Sequence, residues 1–178
     1  IFGAGPVGLA AVMGAVIRDC ATIIVVEPQP ARRDLALSLG ATHTIDPAAG
    51  SVPEAVRAIL PDGAEFAFET SGREAVVEAA LACLGSHGLL GLVGVPPRPD
   101  SALSINLAAL ITYGHRIHGI IEGDSVPDLF IPSLVELYQQ GRFPFDKLVK
   151  FYSLDQINQA AEDSEKGVTI KPIVRFGS

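Results

Sequence analysis

The chain turns before its first strand is complete. Ile1-Phe2 runs straight into Gly3-Ala4-Gly5-Pro6-Val7-Gly8, and an uncharged helical stretch follows as far as Ile17. Three glycines at G-x-G-x-x-G spacing between a strand and a helix leave few folds open. Gly3 permits the tight turn, Gly5 lets a diphosphate approach the backbone because it lacks a Cβ, and Gly8 lets the helix lie close to the sheet. The loop amides and the positive end of the helix dipole then face an anion. Pro6 has no N–H to donate, but its fixed φ suits the first helical turn. A glycine-rich turn that holds nothing is the competing reading. A strand needs about five residues, and there is no initiator Met, so the chain reads as a piece of a longer protein that opens in mid-strand.

The second half of the fingerprint favours the ligand. Glu27 follows the run Ile23-Ile24-Val25-Val26, nineteen residues beyond Gly8. A carboxylate at that strand end accepts hydrogen bonds from ribose hydroxyls and repels a 2′-phosphate, so the expected cofactor is NAD rather than NADP. A solvated acid at a strand end is the plainer alternative. Arg32 and Arg33 are close enough in sequence to hold a 2′-phosphate, but Glu27 occupies the position of the 2′-hydroxyl.

Strand-like runs at Ala21–Val26, His43–Ile45, Ala64–Phe68, Leu89–Val95, Arg116–Ile121 and Val168–Phe176 alternate with helix-like stretches. The helices are expected at Pro6–Arg18, Ala31–Leu39, Val52–Leu60, Arg73–Leu84, Asp128–Gln140 and Leu154–Lys166. Gly40 and Gly141 follow helices as C-terminal glycines, and Pro61-Asp62-Gly63 is a turn. Such alternation predicts an α/β fold, a doubly wound parallel sheet of the Rossmann type with six strands. The runs are apolar without alternation, as strands buried on both faces require. This domain is expected over residues 1–121. From 122 to 178 the rhythm weakens to two helices, a Phe143-Pro144-Phe145 turn and one last strand, read as a C-terminal extension.

Composition removes other functions. With 178 residues, 48% hydrophobic and 19% charged, the chain is built to fold. A formal charge of −7 argues against partners such as nucleic acid or an anionic membrane. The uncharged stretches Ile1–Ile17 and Ala79–Pro97 are broken by glycine and proline, and read as buried elements rather than membrane spans. Two distant cysteines form neither a disulfide framework nor a four-thiolate zinc site, and place the chain in a reducing cytoplasm by default. Cys20 and Cys83 read as small core residues. His43, His87, His115 and His118 lack metal-ligand spacing, and Ser71-Gly72 lacks the surroundings of a nucleophile elbow. Glu69 and Glu122 read as isolated capping or solvated acids. No residue of this chain is expected to be catalytic or to bind metal.

GAGPVG (3–8), VVEPQPARRDLALSLGATHTID (25–46), FAFETSG (66–72), GLVGVPP (91–97) and IKPIVRF (170–176) occur in that order. The series resembles the C-terminal, cofactor-binding part of the zinc-dependent medium-chain alcohol dehydrogenases over essentially the whole chain. GIIEGDSVPDLFIPSLVELYQQGRFPFDKLVKFYSLDQINQA (119–160) is most similar to the aryl- and benzyl-alcohol branch. The resemblance implies that Val7 lies behind the nicotinamide ring and that Arg32 stands beside Glu27 at the adenosine ribose. It implies that Thr70, Ser71 and Arg73 border the adenine side, and that backbone groups at Val93, Val95, Ile120 and Glu122 fix the carboxamide. Lys171 matches a basic contact to the diphosphate. Zinc and the proton relay would come from an N-terminal domain that this chain lacks, so the chain alone is expected to be inactive. The extension would pack on that domain. Subunits would pair as a homodimer through the sheet edge at Ser101–Asn106 and Arg116–Ile121, where Leu103 and Ile105 alternate with Ser104. The implied substrate is an alcohol or aldehyde, with an aromatic primary alcohol favoured. A zinc-independent quinone reductase, a non-catalytic nucleotide sensor and a methyltransferase remain as alternatives. Glu27 disfavours the first, the truncated strand the second, and the FETSG, GVPP and IKPIVRF series the third.

Overall fold

Phe2 forms parallel bridges on both sides, to Val26 and to Glu69. It is the centre of the sheet in the computed structural model, which describes residues 1–177. To one side lie β1 (Ile24–Val26) and β2 (His43–Ile45), to the other β3 (Ala64–Glu69), β4 (Leu84–Leu92) and β5 (Arg116–Gly119). The order is β2-β1-Phe2-β3-β4-β5, parallel throughout. The connecting helices are α1 (Pro6–Ile17), α2 (Pro30–Ser38), α3 (Val52–Ile59), α4 (Glu74–Ala82) and α5 (Leu107–Tyr113). The chain winds outward from Phe2 through α1 and α2, then returns through α3 to build the other half. The Gly3–Gly8 loop therefore sits where the strand order reverses, the place open α/β sheets use for ligands.

β1 shows why the sheet is covered on both faces. Its three residues are all buried, and successive side chains point to opposite sides. Val25 joins Leu9, Val12 and Met13 of α1 with Ala36 of α2. Ile24 and Val26 join Val52 and Val56 of α3 and Ala80 of α4. Burying a side chain such as Leu9 is worth about 1.5–3 kcal/mol. These two clusters hold the helices to the sheet.

Beyond β5, α6 (Pro127–Gln139) leads to a second sheet in which β6 (Val149–Ser153) pairs in parallel with β7 (Lys171–Arg175). The crossover is α7 (Ile157–Glu165). This second sheet is attached to the first core, because Leu148, with Phe143 and Ile170, packs into the cluster under α1.

The structure departs from the sequence reading in several places. The first strand is short, as the opening Ile1-Phe2 implies, but the final strand is not alone: it pairs with β6, which lies outside the expected runs. Helix α5 also lies outside the expected helical stretches. β1 begins at Ile24 rather than Ala21. β4 starts early, at Leu84, because a register shift between Ala64 and Phe66 carries Gly85-Ser86-His87-Gly88 inside the strand. The apolar runs are not all buried. Phe66 is 68% exposed, and β5 is an exposed edge. Ser101–Asn106 forms no strand; Asn106 instead caps α5, its Oδ1 accepting from the Ala109 amide at 3.0 Å. Cys20 is exposed and is not a core residue, while Cys83 is buried.

Candidate functional site

The three loop glycines have different physical reasons to be glycine. Gly3 adopts φ +95°, and a Cβ there would lie 2.7 Å from Thr70 Oγ1. A Cβ on Gly8 would come within 1.9 Å of the Gly3 carbonyl oxygen, which no relaxation accommodates. Gly5 is different. It has φ −78°, and a Cβ on it would meet nothing within 4 Å. The chain's own packing requires glycine at 3 and 8 but not at 5, so the space beside Gly5 suits something from outside. Helix α1 begins beside it with Pro6 in its first turn and no side-chain cap. Its first-turn N–H groups and dipole suit an anion. Val7 is half exposed beside them.

Glu27 closes the other wall. It is buried, with Oε2 accepting the Ala4 amide at 2.8 Å and Oε1 the Gln29 amide at 3.0 Å. An ionised carboxylate has about four acceptor positions, so two remain for hydroxyl donors. Arg33 is committed elsewhere. Its Nη1 donates to the carbonyls of Glu27 (2.7 Å) and Pro28 (2.8 Å), and Nη2 pairs with Asp46 at 3.2 Å. Arg32 makes no ion pair among the described residues, and its buried Nε has no hydrogen-bond partner. Of two adjacent arginines, only Arg32 keeps its guanidinium available to a ligand.

Across the switch point, Glu69 ends β3 fully buried. Its carboxylate accepts the amides of Ser71 (2.6 Å) and Gly72 (3.0 Å) and the Ser71 hydroxyl (2.5 Å). Its carbonyl accepts the amides of Val93 and Gly94 at 3.0 and 3.1 Å. Gly94 fits because a Cβ there would lie 2.1 Å from the Gly72 nitrogen. Thr70 donates its hydroxyl to the Phe2 carbonyl at 2.9 Å, tying this turn to the glycine loop. Glu69 thus caps the turn that follows it, as the sequence suggests, but it does so fully buried rather than solvated; the Thr-Ser-Gly that follows the acid supplies the amides it accepts.

Gly3, Gly5, Pro6, Val7, Gly8, Glu27, Thr70, Ser71, Arg73, Val93, Val95, Ile120 and Glu122 all follow the C-terminal ends of strands, and so share one edge of the sheet. Arg32 joins them from α2. Glu122, Gly123 and Asp124 have φ of 48°, 70° and 48°, three left-handed residues in succession. For Glu122 and Asp124 that backbone is costly, and both lie exposed just beyond the end of β5. Lys171 lies in the second sheet, exposed at the start of β7. Two cavities, of about 820 and 460 Å³, lie elsewhere; the larger runs between β1 and β3, and the smaller is lined by Arg57, Ile105, Tyr113 and His115. Among the described residues no three His, Cys, Asp or Glu side chains converge as metal ligands.

A family model described as zinc-binding dehydrogenase matches residues 6–139. Geraniol dehydrogenase of Castellaniella defragrans is 41% identical over 177 residues, 99% of this chain and 47% of that protein. A solved alcohol dehydrogenase zinc-binding domain protein from Burkholderia ambifaria is 50% identical with a TM-score of 0.96, covering 99% of this chain and 48% of that one. Benzyl alcohol dehydrogenase from Acinetobacter calcoaceticus is 41% identical, also with a TM-score of 0.96, covering 99% and 48%. The chain spans about half the length of the relatives it matches.

Proposed function

The chain belongs to the zinc-binding dehydrogenase family, and from that premise we propose that it is the NAD-binding portion of an alcohol dehydrogenase. The observation that carries the reading is the open space at Gly5, flanked by an uncapped helix on one side and the Glu27 carboxylate on the other. A diphosphate fits against the first turn of α1, and ribose hydroxyls fit the two unused acceptor positions of Glu27. NAD supplies the hydride acceptor when bound. The chain's own residues hold and orient it: Val7 backs the nicotinamide ring, and backbone groups at Val93, Val95, Ile120 and Glu122 fix its carboxamide. Thr70, Ser71 and Arg73 border the adenine side, and Lys171 reaches the diphosphate.

Residues 1–121 form the cofactor domain in this reading, and 122–178 an extension that packs on a further, zinc-carrying domain. Among the described residues no three His, Cys, Asp or Glu side chains are grouped to hold a metal that would polarise an alcohol, and in this reading the chain by itself binds cofactor without turnover. The similarity to geraniol and benzyl alcohol dehydrogenases favours an allylic or aromatic primary alcohol as the substrate of the whole protein. Two free cysteines suit a reducing cytoplasm. Among the described residues no helix is long and apolar enough to cross a membrane. The exposed edge β5 suits pairing with a second copy, and light scattering at tens of micromolar should give a dimer mass.

Fluorescence titration with NADH and NADPH tests the central claim. NADH should bind at least about tenfold more tightly, or 1.4 kcal/mol, because Glu27 and a 2′-phosphate repel each other. Equal or tighter NADPH binding would overturn it.

A further inference from the structure

The turn between α7 and β7 reaches back to the residues beside Glu27. Gly167 has φ +72°, and a Cβ on it would lie 2.5 and 2.6 Å from the Gln29 amide atoms and 3.0 Å from Arg32 Nη2. Gly167 is therefore seated directly against the heads of Gln29 and Arg32. Arg32 is otherwise unanchored, with no ion pair among the described residues and a buried Nε lacking an acceptor. Its place depends on what packs against it.

That turn is itself rigidly held. The Asp163 carboxylate accepts from the Tyr152 hydroxyl at 2.6 Å, from Gln159 Nε2 at 2.7 Å and from Lys150 Nζ at 3.1 Å. Tyr152 also meets the Thr169 hydroxyl at 2.7 Å. The Thr169 amide donates to the Asp163 carbonyl at 3.1 Å, and the Gly167 amide to Ser164 at 3.1 Å. Tyr152, Asp163 and Thr169 are all buried. Polar networks of this kind, with every member satisfied, fix a single geometry. Here the fixed geometry is a turn whose tip, Gly167, abuts Arg32.

We propose that Gly167 is a positioning residue for the adenosine end of the cofactor, holding Arg32 toward the ribose beside Glu27. The proposal rests on the dinucleotide reading above. It makes the C-terminal segment part of the nucleotide site and assigns its ligand class: an adenosine diphosphate moiety, not the nicotinamide half. A side chain at 167 would push Gln29 and Arg32 away while leaving the Gly3–Gly8 loop untouched.

The test titrates the 178-residue chain with ADP-ribose by calorimetry and with nicotinamide mononucleotide by NMR. Gly167→Ala should weaken ADP-ribose at least about fivefold, as the displacement of a charge-assisted hydrogen bond would, and leave nicotinamide mononucleotide unchanged. In an Arg32→Ala background, Gly167→Ala should add no further loss, since coupled residues are not additive. Should Gly167→Ala melt below the assay temperature, Thr169→Val loosens the same turn and should weaken ADP-ribose in the same selective way. Unchanged ADP-ribose affinity, full additivity with Arg32→Ala, or an equal loss for both ligands would each overturn the positioning role. A wild-type chain that binds neither NADH nor ADP-ribose would instead overturn the dinucleotide reading beneath it.

Discussion

The Ala4 amide donates to Glu27 Oε2 at 2.8 Å, across 23 residues of sequence. The acid that faces the ribose in the proposed complex thus also shapes the loop that faces the diphosphate. In that proposed complex selectivity and loop geometry are coupled through one carboxylate, which makes Glu27 the most informative position to change.

Glu27→Gln removes the charge and replaces one acceptor oxygen by an N–H₂ group. One of the two amides now bonded to Glu27, Ala4 or Gln29, then loses its acceptor in a buried site, at a cost of about 1–3 kcal/mol. Urea melts should show a lower midpoint, and paired titrations should show a narrower gap between NADH and NADPH. A variant as stable and as selective as wild type would contradict both roles.

Gly5→Ala and Gly8→Ala should separate binding from folding. At Gly5 an added methyl meets nothing within 4 Å, so the melting temperature should hardly move while NADH affinity falls at least about tenfold. At Gly8 the methyl collides with the Gly3 carbonyl at 1.9 Å, and the fold should lose about 3 kcal/mol or more. Thermal melts alongside titrations distinguish the two. Loss of stability at both positions would mean that the space beside Gly5 has no ligand purpose.

The two thiols should differ in reactivity. Cys20 is exposed, whereas Cys83 is buried and its pKa is pushed up to about 11 by desolvation. Only the thiolate attacks an alkylating agent. Iodoacetamide at pH 8 should label Cys20 in the native chain and reach Cys83 only in denaturant, as peptide mass mapping would show. Rapid native labelling of Cys83 would imply that the core around α4 opens readily.

Acid should erode the Asp163 network. Hydrogen bonds from Tyr152, Gln159 and Lys150 lower its pKa from 3.8 to about 2. Because the folded value is depressed, the contribution to stability is complete above about pH 5, shrinks as pH falls through 3.8, and is gone below about 2. Wild type should therefore exceed Asp163→Asn in stability most clearly near neutrality, with the gap closing in denaturant melts between pH 5 and pH 2. A gap independent of pH would mean that the carboxylate charge does not contribute.

Much of the site could be read in the sequence because it is local chemistry. The Gly3–Gly8 spacing, the acid that ends the Ile23–Val26 run and the alternation of strand with helix all lie within short windows. Burial on both faces leaves such strands no choice but apolar residues. Other features depend on contacts between distant segments. Arg32 and Arg33 are neighbours with the same side chain, yet Asp46 and two carbonyls hold Arg33 while the Gly167 turn lies against Arg32. β6 reads as Val-Lys-Phe-Tyr-Ser, a mixed run that becomes a strand because Lys171–Arg175 pairs with it in parallel after a helical crossover. Phe66 belongs to an apolar run but is exposed, since burial is set by what packs alongside and not by the side chain's own hydrophobicity. Sequence by itself determined the local shapes and the spacing of the glycine loop and the acid beyond it. Tertiary structure decided which of two arginines is held by an ion pair, which strands pair and which turn lies against Gln29 and Arg32, because those outcomes arise only when segments far apart in the chain are packed together.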